Sequence, residues 1–186
     1  MKVKPTTKRG HVVVELDRKD EALLAEGAQS AGRSPFKLKK ILVPVDFSEC
    51  SKKALHYAIP FARQFEASLT LLYVVQVNYY AGDFGTVDVA LLENEMRSNG
   101  KKQLLELAAR EVGKDLRCES LVRVGRVVSE IVDVARQTET DLIILSTHGH
   151  TGFKHVLLGS VAENVVRHAP CPVLIVRQQE HEFITK

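Results

Sequence analysis

The sequence predicts an α/β fold, a doubly wound five-stranded parallel sheet with helices on both faces. From residue 39 onward, five short apolar runs alternate with stretches whose apolar residues recur at helical spacing, the pattern of parallel strands joined by crossover helices. A chain of 186 residues is long enough to bury a sizeable core, and 45% hydrophobic with 26% charged residues is the balance of an ordinary globular protein. No stretch approaches the roughly 18 apolar residues of a membrane-spanning helix, so no membrane partner is expected.

The first 36 residues read differently from the rest. Val12, Val13 and Val14 suit a short strand, and residues 20–28 suit a helical turn or two. Residues 29–35, with Gly32, Ser34 and Pro35, form a linker. Residues 1–36 are thus expected to be a basic, partly mobile extension, followed by an α/β domain over 37–178 and a tail over 179–186. Residues 1–40 hold ten Lys and Arg against five acids, whereas the whole chain is only +3. Because only one aromatic residue, Phe36, stands among these charges, they are read as a solvated tail and not as a nucleic-acid platform.

Within the domain, residues 41–45 are a continuous apolar run, as in a strand covered on both faces. Ser48 is placed to cap a helix in which Ala54, Leu55, Ala58, Ala62 and Phe65 face inward, and Pro60 is expected to kink or shorten it. Residues 69–75 form the second strand. A long helix over 88–112 closes at Gly113, with Leu92, Met96, Leu104, Leu107 and Ala108 inward. Residues 119–124 are the third strand, and Val128, Ile131, Val132 and Ala135 mark the next helix. Residues 142–145 are the fourth strand, Val161, Val165 and Val166 mark the last helix, and residues 173–176 are the fifth strand. Right-handed crossovers make 3-2-1-4-5 the leading strand order, a Rossmann-like arrangement.

Ligands of such sheets bind outside the carboxyl ends of the strands where the winding reverses, here between the first and fourth strands. That directs attention to residues 44–48 and 146–160. The second segment carries Ser146, His148, Gly149, Gly152, Gly159 and Ser160 around the start of the last helix. Glycines admit a phosphate close to the backbone, and free N–H groups at a helix start attract anions. Turn and cap residues are the plain alternative. Neither a G-x-x-x-x-G-K-[ST] nor a G-x-G-x-x-G run occurs, which argues against a P-loop enzyme and a dinucleotide fold.

At both ends the domain resembles the universal stress proteins, from about Leu38 to Arg177. The resemblance rests on Lys39-Lys40 with the apolar run through Asp46, Phe47 and Ser48, on the 146–152 loop with Leu157 to Val161, and on Ala169 to Val176. The nucleotide-binding branch of that family carries G-x2-G-x9-G-[S/T]. Gly149, Gly159 and Ser160 match it, and Ser146 replaces its first glycine. The resemblance implies an ATP or AMP site in a homodimer. Pro44, Val45 and Asp46 would meet the adenosine, and Val74 the adenine. Leu145, His148 and Gly149 would line the site, and Gly159, Ser160 and Val161 would take phosphates. Ser146 either carries backbone strain in place of the glycine or adds a hydroxyl donor. Asp46 would hold ribose hydroxyls or Mg2+, or else serve as a turn or capping residue.

Other residues invite weaker readings. His148, His150 and His155 match no zinc spacing. Cys50, Cys118 and Cys171 contain no C-x-x-C pair and fit a reducing, cytoplasmic setting, with Cys171 a buried small hydrophobe. Tyr79, Tyr80 and Phe84 suit either a lid or a packed loop. Lys154 is the one lysine in the phosphate loop, and no carboxylate there is placed as a base, so a regulatory binder with little or no turnover is expected. A slow ATPase and a nucleotide-free dimer are the alternatives. An apolar fifth strand at a sheet edge invites symmetric pairing with a second copy.

Overall fold

Each of the five apolar runs becomes a strand of one parallel sheet. The computed structural model describes residues 2–5, 12–15, 37–76, 89–147 and 159–178, and it divides into two units, Met1–Lys37 and Leu38–Lys186. In the first, β1 (Lys2–Pro5) pairs antiparallel with β2 (Val12–Glu15), with Val3 opposite Val14. The sequence shows β2 through its three valines. β1, half lysine and ending in proline, carries no comparable signal. The helical turn expected at 20–28 lies outside the described residues.

The second unit runs β3 (Lys40–Pro44), α1 (Glu49–Phe65), β4 (Ser68–Val75), α2 (Val89–Glu111), β5 (Cys118–Val124), α3 (Val127–Gln137), β6 (Leu142–Ser146), α4 (Ser160–His168) and β7 (Val173–Val176). The strands order as β5-β4-β3-β6-β7, all parallel, which is the expected 3-2-1-4-5. Central β3 buries Ile41, Leu42 and Val43 on both faces, which is why its sequence reads as a continuous apolar run. Ile41, Val43, Leu69 and Leu71 pack against α1 and α2, through Leu55, Ala58, Leu104 and Leu107. Leu42, Leu72, Ile143 and Leu145 pack against α3 and α4, through Ile131, Val134, Ala162 and Val165.

Two helical expectations need correction. Pro60 does not shorten α1, which continues five residues beyond it to Phe65. Tyr57, Ala58, Ile59 and Ala62 are buried around it, and that packing outweighs the N–H the proline lacks. Leu92 is 41% exposed, because α2 buries only its second half, at Gly100, Leu104 and Leu107. In α4 the inward residues are Ala162 and Val165, and Val161 and Val166 lie on the exposed side. The end of α2 follows expectation, with Gly113 at φ 81° where a β-carbon would press on the Asp115 carboxylate.

Candidate functional site

The carboxyl end of the sheet is built as a crevice because β3 is short. Its ladder with β4 ends at Pro44 opposite Leu72, with one further bond from the Val45 N–H to the Leu72 carbonyl at 2.8 Å. β4 continues through Tyr73, Val74 and Val75 beside β5, and β6 continues to Ser146 beside β7. The chain therefore leaves the sheet between two strands that run on past it, at the winding reversal where such sheets have their crevice, with Val45 and Asp46 next in the chain.

Asp46 begins a tight turn into α1. Its Oδ1 accepts from the Ser48 N–H at 3.1 Å and the Ser48 hydroxyl at 2.6 Å. Ser48 caps α1 as expected, its Oγ accepting from the Ser51 N–H at 3.2 Å. Ser51, which the sequence reading passed over, is 3% exposed, and its Oγ lies 3.3 Å from the Asp46 N–H it accepts from. Its place three residues after the cap, where a capping box puts a polar side chain, was the available signal. Asp46 thus fills the turn-and-cap role in this structure, and one of its oxygens already has two donors.

On the other wall, the Thr147 N–H donates to the Val176 carbonyl at 3.0 Å, and the Thr147 carbonyl accepts from the Gly159 N–H at 2.9 Å. Thr147, 4% exposed, therefore ties both ends of the loop together, and only its backbone does so in these two bonds. Gly159 is the N-cap of α4 with φ −68° and ψ 152°, and among the described residues no side chain caps the helix. Its own N–H is engaged by Thr147. The helix-start N–H groups that have no intrahelical carbonyl to reach are therefore those of Ser160, Val161 and Ala162, with the Ser160 hydroxyl beside them. Asn164 and Glu163 turn to the carbonyl side instead, Asn164 Nδ2 donating to the Ser160 carbonyl at 2.8 Å and the Glu163 N–H to the Gly159 carbonyl at 3.0 Å.

The remaining site residues divide by what they can offer. Pro44, Asp46, Val74, Ser146 and Gly159 are half-buried, and Ser160 and Val161 are exposed. Val45 and Leu145 are 5% and 3% exposed, so their side chains belong to the core and only their backbone borders the crevice. Ser146 lies in β6 and is not among the residues with positive φ, so serine in place of the motif's glycine carries no left-handed strain here. His148, Gly149, His150, Lys154 and His155 lie outside the described residues, as do Tyr79, Tyr80 and Phe84. Cys171 is half-buried, less than expected. Burial pushes its thiol above the usual range, and burial with the Asp46 and Glu49 carboxylates does the same for Cys50. The Cys118 thiol is pushed up to about 11 by burial alone. An open groove of about 770 Å³ lies at the other end of the sheet, between Lys39, Arg63, Phe65 and Arg117. It contains none of the switch-point residues.

A five-stranded doubly wound parallel sheet of order 3-2-1-4-5, with helices on both faces, defines an α/β protein of the Rossmann-like class. Residues 37–177 match the universal stress protein family, and the chain belongs to that family. It is 36% identical over 146 residues to the universal stress protein MJ0531 of Methanocaldococcus jannaschii, covering 77% of this chain and 85% of that one. The solved structure of MJ0577, from the same organism, superposes with TM-score 0.66 at 31% identity, over 78% of this chain and all of that one. A universal stress protein solved in complex with cAMP shares the fold, with TM-score 0.60 at 23% identity over 77% of this chain and all of that one. Among the described residues no helix is long and apolar enough to cross a membrane.

Proposed function

We propose that this protein is a regulatory binder of adenine nucleotides, holding ATP or AMP with Mg2+ at the carboxyl end of its sheet. The observation that carries the reading is the α4 start, whose first amides meet no capping side chain among the described residues and stand at the switch point beside a serine hydroxyl. Phosphate oxygens fit the N–H groups of Ser160 and Val161 and the Ser160 hydroxyl. Gly159 leaves the approach open, and His148 and Gly149 would close the loop side. The adenosine would lie over Pro44, Val45 and Asp46, with adenine against Val74 and the backbone of Leu145 and Ser146.

Among the described residues no group of three His, Cys, Asp or Glu side chains gathers to hold a metal. Mg2+ usually takes one or two carboxylates plus phosphate oxygens, and Asp46 suits that arrangement. Fast phosphoryl transfer needs a cationic stabiliser and an oriented nucleophile, and Lys154 is the one lysine of the 146–160 loop. The bound nucleotide therefore acts as a signal.

Among the described residues β7 pairs on one side only, with β6, and its Val173, Leu174 and Ile175 are half-buried. A second copy pairing there would complete a dimer. Cys50, Cys118 and Cys171 are free thiols, which suits a reducing cytoplasm.

Mass spectrometry of the natively purified protein tests the central reading, with adenine nucleotide expected to co-purify. Single-turnover hydrolysis then separates signal from fuel. A rate several orders of magnitude below about 1 per second fits the signal, and a rate of that order lost in Ser160→Ala makes the protein an ATPase. Sedimentation as a monomer at tens of micromolar would remove the dimer.

A further inference from the structure

Phe47 holds the left-handed backbone, with φ 66°, immediately after Asp46 and immediately before the cap of α1. This region is strained for any L-residue and an outlier for a bulky one, and it persists only where the surroundings over-determine it. Here they do. Ser48 is locked as the cap of a 17-residue helix, and the Asp46 carboxylate is bonded to it from the other side of the turn. The Phe47 ring lies 4.7 Å from that of Tyr73 on β4, inclined at 45°. Tyr73 in turn lies against Gly100 of α2, where an added β-carbon would come within 2.5 Å of the ring. The chain of contacts runs from α2 through Tyr73 to Phe47 and ends at Asp46.

We infer that the left-handed backbone at Phe47 is a positioning device that sets Asp46 in the nucleotide site, held in place by the Tyr73–Gly100 contact. The inference rests on the nucleotide reading above. Were Phe47 to relax to negative φ, one neighbour would have to move. Ser48 is fixed by the helix, so Asp46 is the residue that yields. The ring acts by gripping a conformation that phenylalanine does not favour, which makes Phe47 a positioning residue and not a ligand contact.

Glycine tolerates this backbone and alanine does not, so the two truncations part ways. Titration calorimetry of the full chain with ATP and Mg2+, with melting temperature as the check on folding, should show Phe47→Ala binding about five- to tenfold more weakly than the parent. Phe47→Gly, which loses the same ring, should stay within about twofold of the parent. Gly100→Ala, which displaces Tyr73, should weaken binding in the parent background and have no effect on top of Phe47→Gly. This second comparison decides the matter if Phe47→Ala does not fold. Equal affinities in the alanine and glycine variants, or an unchanged effect of Gly100→Ala in both backgrounds, would overturn the device while leaving nucleotide binding intact. No binding by the parent would remove the nucleotide reading and this inference together.

Discussion

The two ends of the same sheet are finished in opposite ways. At the amino end, side chains close off the backbone. Asp141 Oδ2 accepts from the N–H groups of both Lys39 and Lys40 at 2.8 and 2.9 Å, and Lys40 Nζ donates to the Thr138 carbonyl at 2.8 Å. Arg63 Nε pairs with Asp115 at 2.9 Å across the same end. At the carboxyl end the backbone ties itself, through Thr147 and Gly159, and the first amides of α4 meet no capping side chain among the described residues. At one end side chains engage the strand-end backbone, and at the other the α4 start is where the proposed nucleotide would bind. Left-handed backbone occurs at both ends, at Phe47 beside Asp46 and at Glu66 and Glu139, where α1 and α3 turn back toward β4 and β6.

The sharpest way to break this comparison is Gly159→Val. Its φ and ψ are ones valine adopts readily, so stability should hold while a branched side chain enters the phosphate approach. Calorimetry should record at least a tenfold loss of ATP affinity, about 1.4 kcal/mol or more. The converse change belongs at the amino end. Asp141→Ala leaves two strand-end N–H groups without their carboxylate, and urea unfolding should give a loss of about 1.5 kcal/mol with nucleotide affinity unchanged. Gly113→Ala, at φ 81°, should destabilise by about 1 kcal/mol in the same assay, again without touching affinity.

The smallest effect concerns the link from α1 to α2, where His56 Nε2 and Arg110 Nε meet the Glu111 carboxylate at 2.9 and 2.8 Å. Arg110, and then His56, hold that carboxyl below its ordinary value of 4.5. A depressed folded-state value means that the stabilisation is complete above about pH 4.5 and lost as pH falls through the lower, folded value. Glu111→Gln should therefore cost about 0.5 kcal/mol at pH 7, a modest figure because solvent screens the group, and the difference from the parent should fade on acidification below pH 4.5.

The strands and their order were legible because hydrophobic periodicity is local and right-handed crossovers leave few topologies. The errors came where tertiary packing decided. In α4, which its three valines marked as a helix, small Ala162 takes the close position and leaves Val161 and Val166 outside. Pro60 was overruled by its buried neighbours, and Leu92 failed because the first half of α2 is mostly exposed. At the site, Gly159 and Ser160 were legible as a motif. The engagement of the Gly159 N–H by Thr147 was not, since a backbone pairing leaves no trace in residue type. The left-handed turn at Phe47 was equally hidden, because phenylalanine is a residue that gives no hint of it.

One measurement tests the division of labour between the two ends most directly. Amide chemical shifts of isotopically labelled full-length protein can be followed during titration with ATP and Mg2+. The account predicts the largest shifts at Asp46, Ser160 and Val161, with Lys39, Lys40 and Arg117 nearly still. Shifts concentrated at Lys39 and Arg117, or none at saturating nucleotide, would contradict it.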